Sequence, residues 1–143
     1  MMVQTDAAVQ QASTDFKAWL DAGPSNWLRL YVNDFTPSPA STDPVVFIEA
    51  TYPAYAQLAL LGSWSAPLRV TPGVWQISSG PWTFATNGGG VAVTIHGWYL
   101  VRDTTVVMAE RFPTPMVIQP GHFGPALLLA PQTGDQELLC SGQ

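Results

Sequence analysis

The sequence predicts an all-β protein, a jelly-roll-like antiparallel β-sandwich with an N-terminal helical extension, and three observations predict it. Apolar residues recur at helical spacing only between positions 5 and 22. Beyond Gly23 the pattern changes to alternation with a period of two. Turn signals then fall about every eight to twelve residues, the spacing of a sandwich and not of alternating strand–helix units.

The helix is expected over 5–22. Val9, Ala12, Phe16, Trp19 and Leu20 form one apolar stripe. Thr5 or Asp6 can cap it, and Gly23-Pro24 is a stop signal. Such a helix either covers a sheet or reaches a neighbouring subunit. A strand follows over 27–35, with Leu28, Leu30 and Val32 on one face and Arg29, Tyr31 and Asn33 on the other. Pro37, Pro39 and Pro44 make 36–44 a loop, because proline cannot donate to a ladder. Residues 45–48 read as a short extended stretch, and 55–61 as a strand. Trp64 begins an edge segment, and 68–71 pairs locally. Strands at 74–78 and 82–85 flank Ser79-Gly80-Pro81. Asn87-Gly88 in the 86–90 turn is expected to supply positive φ.

The clearest strand is 91–102, with Val91, Val93, Ile95, Tyr99 and Val101 on one face and Thr94, His96, Trp98 and Arg102 on the other. It turns at Asp103-Thr104 into a partner at 105–112. Shorter strands are expected at 116–119 and 125–130, and a loose polar tail at 131–143. The expected division is therefore a helical arm (1–24), a sandwich domain (25–130) and a tail (131–143). No internal repeat is visible.

Composition narrows the function classes. The chain has 143 residues, enough for one domain with a core. Only 10% of them are charged, against about 25% in ordinary globular proteins. Residues 70–101 contain no Asp, Glu, Lys or Arg. A stretch so poor in charge is either buried or faces a partner, and a subunit partly covered by neighbours accounts for it. A neutral secreted-type β-domain is the other reading.

The net charge is −5 with no basic patch, so nucleic-acid binding is not expected. Residues 1–6 lack a basic and then apolar leader, so no signal peptide is expected. The apolar stretch 50–68 is broken by Pro53, Gln57, Gly62 and Pro67, which argues against a membrane span. The lone Cys140 has no partner for an internal disulfide.

No catalytic constellation emerges. His96 and His122 sit in different segments, and no acidic calcium loop is present, so no metal or cofactor is expected. No Gly-x-Ser-x-Gly elbow occurs, and Gly88-Gly89-Gly90 lacks the lysine and helix of a phosphate loop. Glu49 and Glu110 are the only conceivable glycosidase pair. Glu110 beside Arg111 reads better as an ion pair or partner contact, and Glu49 as an acceptor for backbone amides near Thr51-Tyr52-Pro53. Trp64, Trp75, Trp82, Trp98 and Tyr99 belong to the core, to a subunit interface, or to a sugar-stacking platform; sequence does not separate these.

Four segments together carry a resemblance: Leu28-Arg29-Leu30-Tyr31-Val32-Asn33-Asp34-Phe35-Thr36-Pro37, Phe47-Ile48-Glu49-Ala50-Thr51-Tyr52-Pro53-Ala54-Tyr55-Ala56, His96-Gly97-Trp98-Tyr99-Leu100-Val101, and Ala109-Glu110-Arg111-Phe112-Pro113. They resemble small structural proteins of tailed phages, over about residues 28–130, leaving the helix outside the match. Tyr31, Ala54 and Trp98-Tyr99 depart from that pattern, where Phe, Gly and Tyr-Phe are usual. The resemblance implies a capsid decoration, or cement, protein. Such a protein is made in the host cytoplasm and bound to the capsid exterior, where it stabilises contacts between major capsid proteins.

The implied partners are the major capsid protein and the chain itself, as a dimer or trimer, with neither nucleic acid nor membrane. Candidate interface residues are Phe16, Trp19, Leu20, Trp98, Glu110 and Arg111. The alternative is a glycan- or receptor-binding sandwich of a virion fibre or tail.

Overall fold

The computed structural model describes residues 3–22, 26–60 and 62–134. The described chain is mostly antiparallel β-structure with one α-helix, α1 (Asp6–Asp21). It divides into two compact units. One joins residues 1–22, 62–81 and 127–143; the other joins 23–61 and 82–126. This differs from the expected arm, sandwich and tail. The helix is no free arm: it packs on strands from the middle and the end of the chain, contacts that local sequence does not reveal.

In the first unit, Thr5 caps α1, its Oγ1 accepting from Ala8 N at 3.3 Å. Val9, Ser13 and Leu20 form the buried stripe of α1. That helix packs on β4 (Val74–Gln76) and β9 (Gln132–Gly134). These strands lie beside β3 (Leu68–Thr71) in an antiparallel sheet ordered β3-β4-β9. The β3–β4 turn needs positive φ, and Gly73 supplies it at +81°. The Gly73 N–H donates to Asp6 Oδ1, and Asp6 Oδ2 pairs with Arg69 at 2.7 Å. The first turn of α1 is thereby bonded to the hairpin. Trp64, expected at the start of an edge segment, is buried and outside any strand. The expected loose tail begins instead with β9, and its remainder, 135–143 with Cys140, lies outside the described residues, as does the Gly23-Pro24 stop.

In the second unit, a four-stranded antiparallel sheet runs β2 (Leu58–Ala59), β1 (Asn26–Tyr31), β6 (Val93–Arg102), β7 (Thr105–Ile118). The 55–61 strand shrinks to two residues. The expected 45–48 stretch is instead a 3₁₀ turn (Pro44–Val46) leading into extended Phe47. The 91–112 hairpin forms, but β7 runs on to Ile118 and absorbs the separate strand expected at 116–119. Four residues, 112–115, bulge opposite His96 between the Gly97–Arg111 and Ile95–Met116 pairs. Pro113 and Pro115 sit in this bulge on the edge strand, where no ladder bond is lost.

One face of this sheet carries an aromatic cluster. Phe47 stacks on Tyr99 with centroids 4.4 Å apart and meets Tyr31 and Phe35 edge-on at 5.1 and 5.3 Å. Val101, Val106 and Ala109 complete the cluster.

The 86–90 segment turns without positive φ at Asn87 or Gly88. Asn87 acts instead through hydrogen bonds. Fully buried, it donates from Nδ2 to Val91 O (2.9 Å) and Ile118 O (3.1 Å) and accepts from Gly89 N at Oδ1 (2.9 Å). Its backbone N–H donates to His122 O, and its carbonyl accepts from Gly121 N. The two remaining strands, β5 (Ser79–Thr83) and β8 (Ala126–Leu129), pair as a two-stranded sheet, and the division between the units falls within them. β5 runs through Ser79-Gly80-Pro81, the segment expected to separate two strands.

Candidate interaction surface

A surface slot lies along the outer edge of β7. Residues 34–42 form a strap over that edge. At one end Asp34 forms an ion pair with Arg111, whose Nη1 also donates to Thr36 Oγ1 at 3.2 Å. At the other end Thr42 O accepts from Val106 N at 2.8 Å. In between, Phe35 enters the aromatic cluster and its carbonyl accepts from the Tyr31 hydroxyl at 2.9 Å. Local bonds stiffen the strap: Ser38 N to Ser41 Oγ (3.0 Å), Ser41 N to Ser38 O (2.9 Å) and Thr42 N to Ala40 O (2.9 Å). Between strap and strand is a slot of about 320 Å³. Prolines and hydroxyl residues of the strap form one wall, and Val107, Met108 and Ala109 form the other. No lining residue is ionisable.

The register shows which backbone groups face the slot. Leu30 directs its N–H to Tyr55 Oη and its carbonyl to Ala50 N, both away from β6. Successive residues alternate direction, so Arg29 and Tyr31 bond β6 at Tyr99 and Gly97. Trp98 and Leu100 then bond Glu110 and Met108 of β7, leaving Ala109, opposite Tyr99, turned outward. Val106, opposite Val101, is outward by the same rule, and its bond to Thr42 confirms it.

A second feature is the 44–48 turn. Asp43 Oδ1 accepts from Val45 N (3.0 Å). Asn33 clamps both ends, donating to Val46 O (3.0 Å) and accepting from Ile48 N (2.8 Å). Phe47 anchors the turn in the aromatic cluster, so Val45 and Ile48 point outward, 77% and 59% exposed.

The six candidate interface residues separate under this geometry. Trp19 is 43% exposed and stacks on half-buried Phe16 at 6.2 Å. Leu20 is wholly buried in the helix stripe, and Trp98 is 7% exposed with Nε1 donating to Glu110 Oε1 at 3.2 Å. Leu20 and Trp98 therefore lie in the interior and offer no surface. Glu110 is exposed, while Arg111 is the anchor of the strap. The strap and the 44–48 turn were missed because they depend on contacts between distant segments; the three prolines of 36–44 were the available signal.

The conceivable catalytic pair is not brought together. Glu49 accepts from the Tyr55 hydroxyl (2.8 Å) and lies 3.8 Å from Arg29, on the Tyr99 face of the sheet. Glu110 lies opposite Trp98 on the other face. The expected acceptance of backbone amides by Glu49 is replaced by this side-chain network, which also includes a 2.7 Å bond from Arg29 Nε to Gln57. Of the proposed sugar-stacking residues, Trp64, Trp98 and Tyr99 are buried. Burial pushes all four tyrosines, Tyr31, Tyr52, Tyr55 and Tyr99, above their ordinary pKa. Among the described residues no group of three or more His, Cys, Asp or Glu is placed to hold a metal, and no helix is long and apolar enough to cross a membrane.

No family model, curated protein or solved structure matches this chain.

Proposed function

We propose that this chain is a capsid decoration (cement) protein of a tailed phage, with a jelly-roll-type sandwich as its architecture. It binds the outside of the head and stabilises contacts between major capsid proteins, acting by adhesion and not by turnover. It is made in the host cytoplasm and joins the particle through the major capsid protein and further copies of itself. One observation supports this above others: a chain with only 10% charged residues displays large apolar side chains on a rigid mount. Val45 and Ile48 project from a turn clamped by Asn33 and anchored by Phe47. Val45, Val46 and Ile48 stand exposed within four positions of one another, and apolar groups gathered in a patch mark interaction sites where single scattered ones do not. Contacts weak in isolation add up when repeated over a lattice.

The test is co-sedimentation of the purified chain with heads of the particle that encodes it. Saturable binding, weakened by Ile48→Asp with the fold retained, is the expected result. Failure to sediment with heads at micromolar concentration would reject the proposal.

A further inference from the structure

We propose that the slot under the 34–42 strap receives an extended, uncharged polypeptide segment from a partner, which adds to the four-stranded sheet as a strand beside β7. This deepens the reading of the chain as an assembly subunit by naming the kind of element a partner supplies, and it rests on that reading for its biological setting only.

The argument begins with unmet backbone chemistry. β7 is an edge strand, and edge strands present a row of donors and acceptors that another strand can pair with. Its neighbours limit where a strand can enter. On one side the Val106 N–H donates to Thr42 O. On the other the Arg111 side chain is tied to Asp34, and the bulge at 112–115 carries two prolines, which cannot donate. Between these blocks Ala109 turns its N–H and carbonyl outward, and Ala109 lines the slot. The open rung therefore lies inside a walled slot.

The walls specify the occupant. Pro37, Pro39, Val107 and Met108 give apolar surface, while Ser38 and Thr42 give hydroxyls. With no ionisable group present, a charged side chain would lose its hydration without finding a partner. A volume of about 320 Å³ is at the lower end of the range of roughly 300–1,000 Å³ found for binding pockets, which suits small side chains such as Ala, Val, Ser or Thr. The bonds within the strap hold the slot open before anything binds, so little ordering is needed on binding. Strand addition takes its affinity from the main chain and its selectivity from the flanking pockets. A short free segment is expected to bind weakly, and the same segment tethered on a lattice much more tightly.

The experiment uses the ¹⁵N-labelled full chain and an equimolar library of blocked pentapeptides made only of Ala, Val, Leu, Ser and Thr. The expected result is saturable amide shifts confined to 36–42 and 106–111, with exchange of the Ala109 amide slowed roughly tenfold or more. Ala109→Pro removes the outward donor from a strand that already holds two prolines, and should abolish the shifts. Val107→Trp fills the slot without touching the ladder donor and should do the same, so the test survives if the proline variant does not fold. A parallel library with Asp and Lys replacing Ser and Thr should leave the spectrum unchanged. Absence of shifts at millimolar peptide, shifts elsewhere, or shifts that persist in Val107→Trp would overturn the inference. Because no heads are present, the readout is independent of decoration. A chain that binds the uncharged library yet ignores heads rejects the decoration proposal alone, and one that decorates heads without binding the library rejects the slot alone.

Discussion

Gly97 faces Tyr31 across the β1–β6 ladder at a distance that leaves no room for a methyl group. A Cβ on Gly97 would sit 2.6 Å from Tyr31 Cε1, 2.7 Å from its hydroxyl oxygen and 2.2 Å from Glu110 O. The tyrosine ring crosses over the glycine to reach Phe35 O and Phe47. Gly97→Ala is therefore expected to destabilise the fold by about 3 kcal/mol, through overpacking against backbone. Gly90→Ala, with nothing within 4 Å of the new Cβ, should be nearly neutral. Urea unfolding of both variants checks the contrast; equal midpoints would refute it.

Asn87 binds three backbone groups through a side chain wholly removed from water. Asn87→Ala strands the carbonyls of Val91 and Ile118, and an unsatisfied buried acceptor costs about 1–3 kcal/mol. A loss of about 3 kcal/mol is expected, together with faster amide exchange over 86–91 and 119–122. A loss under about 1 kcal/mol would show that water replaces the amide.

The tyrosines predict an alkaline limit. Burial is the largest cause of the raised pKa in each of the four. A group whose pKa is raised by folding stabilises the native state fully below its unfolded pKa, about 10 for tyrosine, and the benefit is lost as pH rises beyond it. Phenolate absorbance and loss of circular dichroism should therefore rise together in one transition above pH 10. Separate tyrosine titration near pH 10 with the dichroism intact would contradict this.

Two aspartates set the acid side. The hydrogen bond and charge of Arg111 hold Asp34 below its ordinary 3.8; the Gly73 N–H does the same for Asp6, against a smaller opposing effect of desolvation and with help from Arg69. A lowered pKa stabilises the native state above the unfolded value, and that contribution disappears as pH falls through the folded one. Carboxyl NMR titration should find both midpoints below 3.8, and Arg111→Ala should return Asp34 to about 3.8 while leaving Asp6 unmoved. An unshifted Asp34 in the intact chain would remove the ion pair from the strap.

Local signals carried the helix and the central hairpin. The span of α1 and the Thr5 cap are readable because helical spacing and capping act within a turn, whereas the expected stripe holds only in part: Val9 and Leu20 are buried with Ser13, while Ala12 and Trp19 are exposed. The alternation in β6 is readable only over residues 93–96: from Gly97 to Val101 every residue is buried, Trp98 and Leu100 included, and Val91 lies outside the strand, 79% exposed. What depended on distant contacts was hidden. The helix reads as an arm because its sheet is built from residues 68–76 and 132–134. β7 reads as two strands because its bulge is recognised only opposite His96. Leu20 and Trp98 read as surface because aromatic and leucine side chains serve cores and interfaces alike, and only packing distinguishes the two. The strap depends on a pair 77 positions apart, Asp34 and Arg111, which no spacing rule anticipates.

The polar fastenings at the two ends of the strap respond differently to the solvent. Dissolved ions screen the exposed Asp34–Arg111 attachment, with a Debye length shrinking from about 10 Å at 0.1 M to about 3 Å at 1 M. The Thr42–Val106 bond joins uncharged groups and keeps its strength. Raising sodium chloride should thus release the Arg111 guanidinium alone, while Phe35 in the aromatic cluster and the Thr42 carbonyl keep the strap seated. Exchange of the Arg111 side-chain N–H protons would then quicken while the Val106 amide holds steady; equal acceleration of both would rule this out.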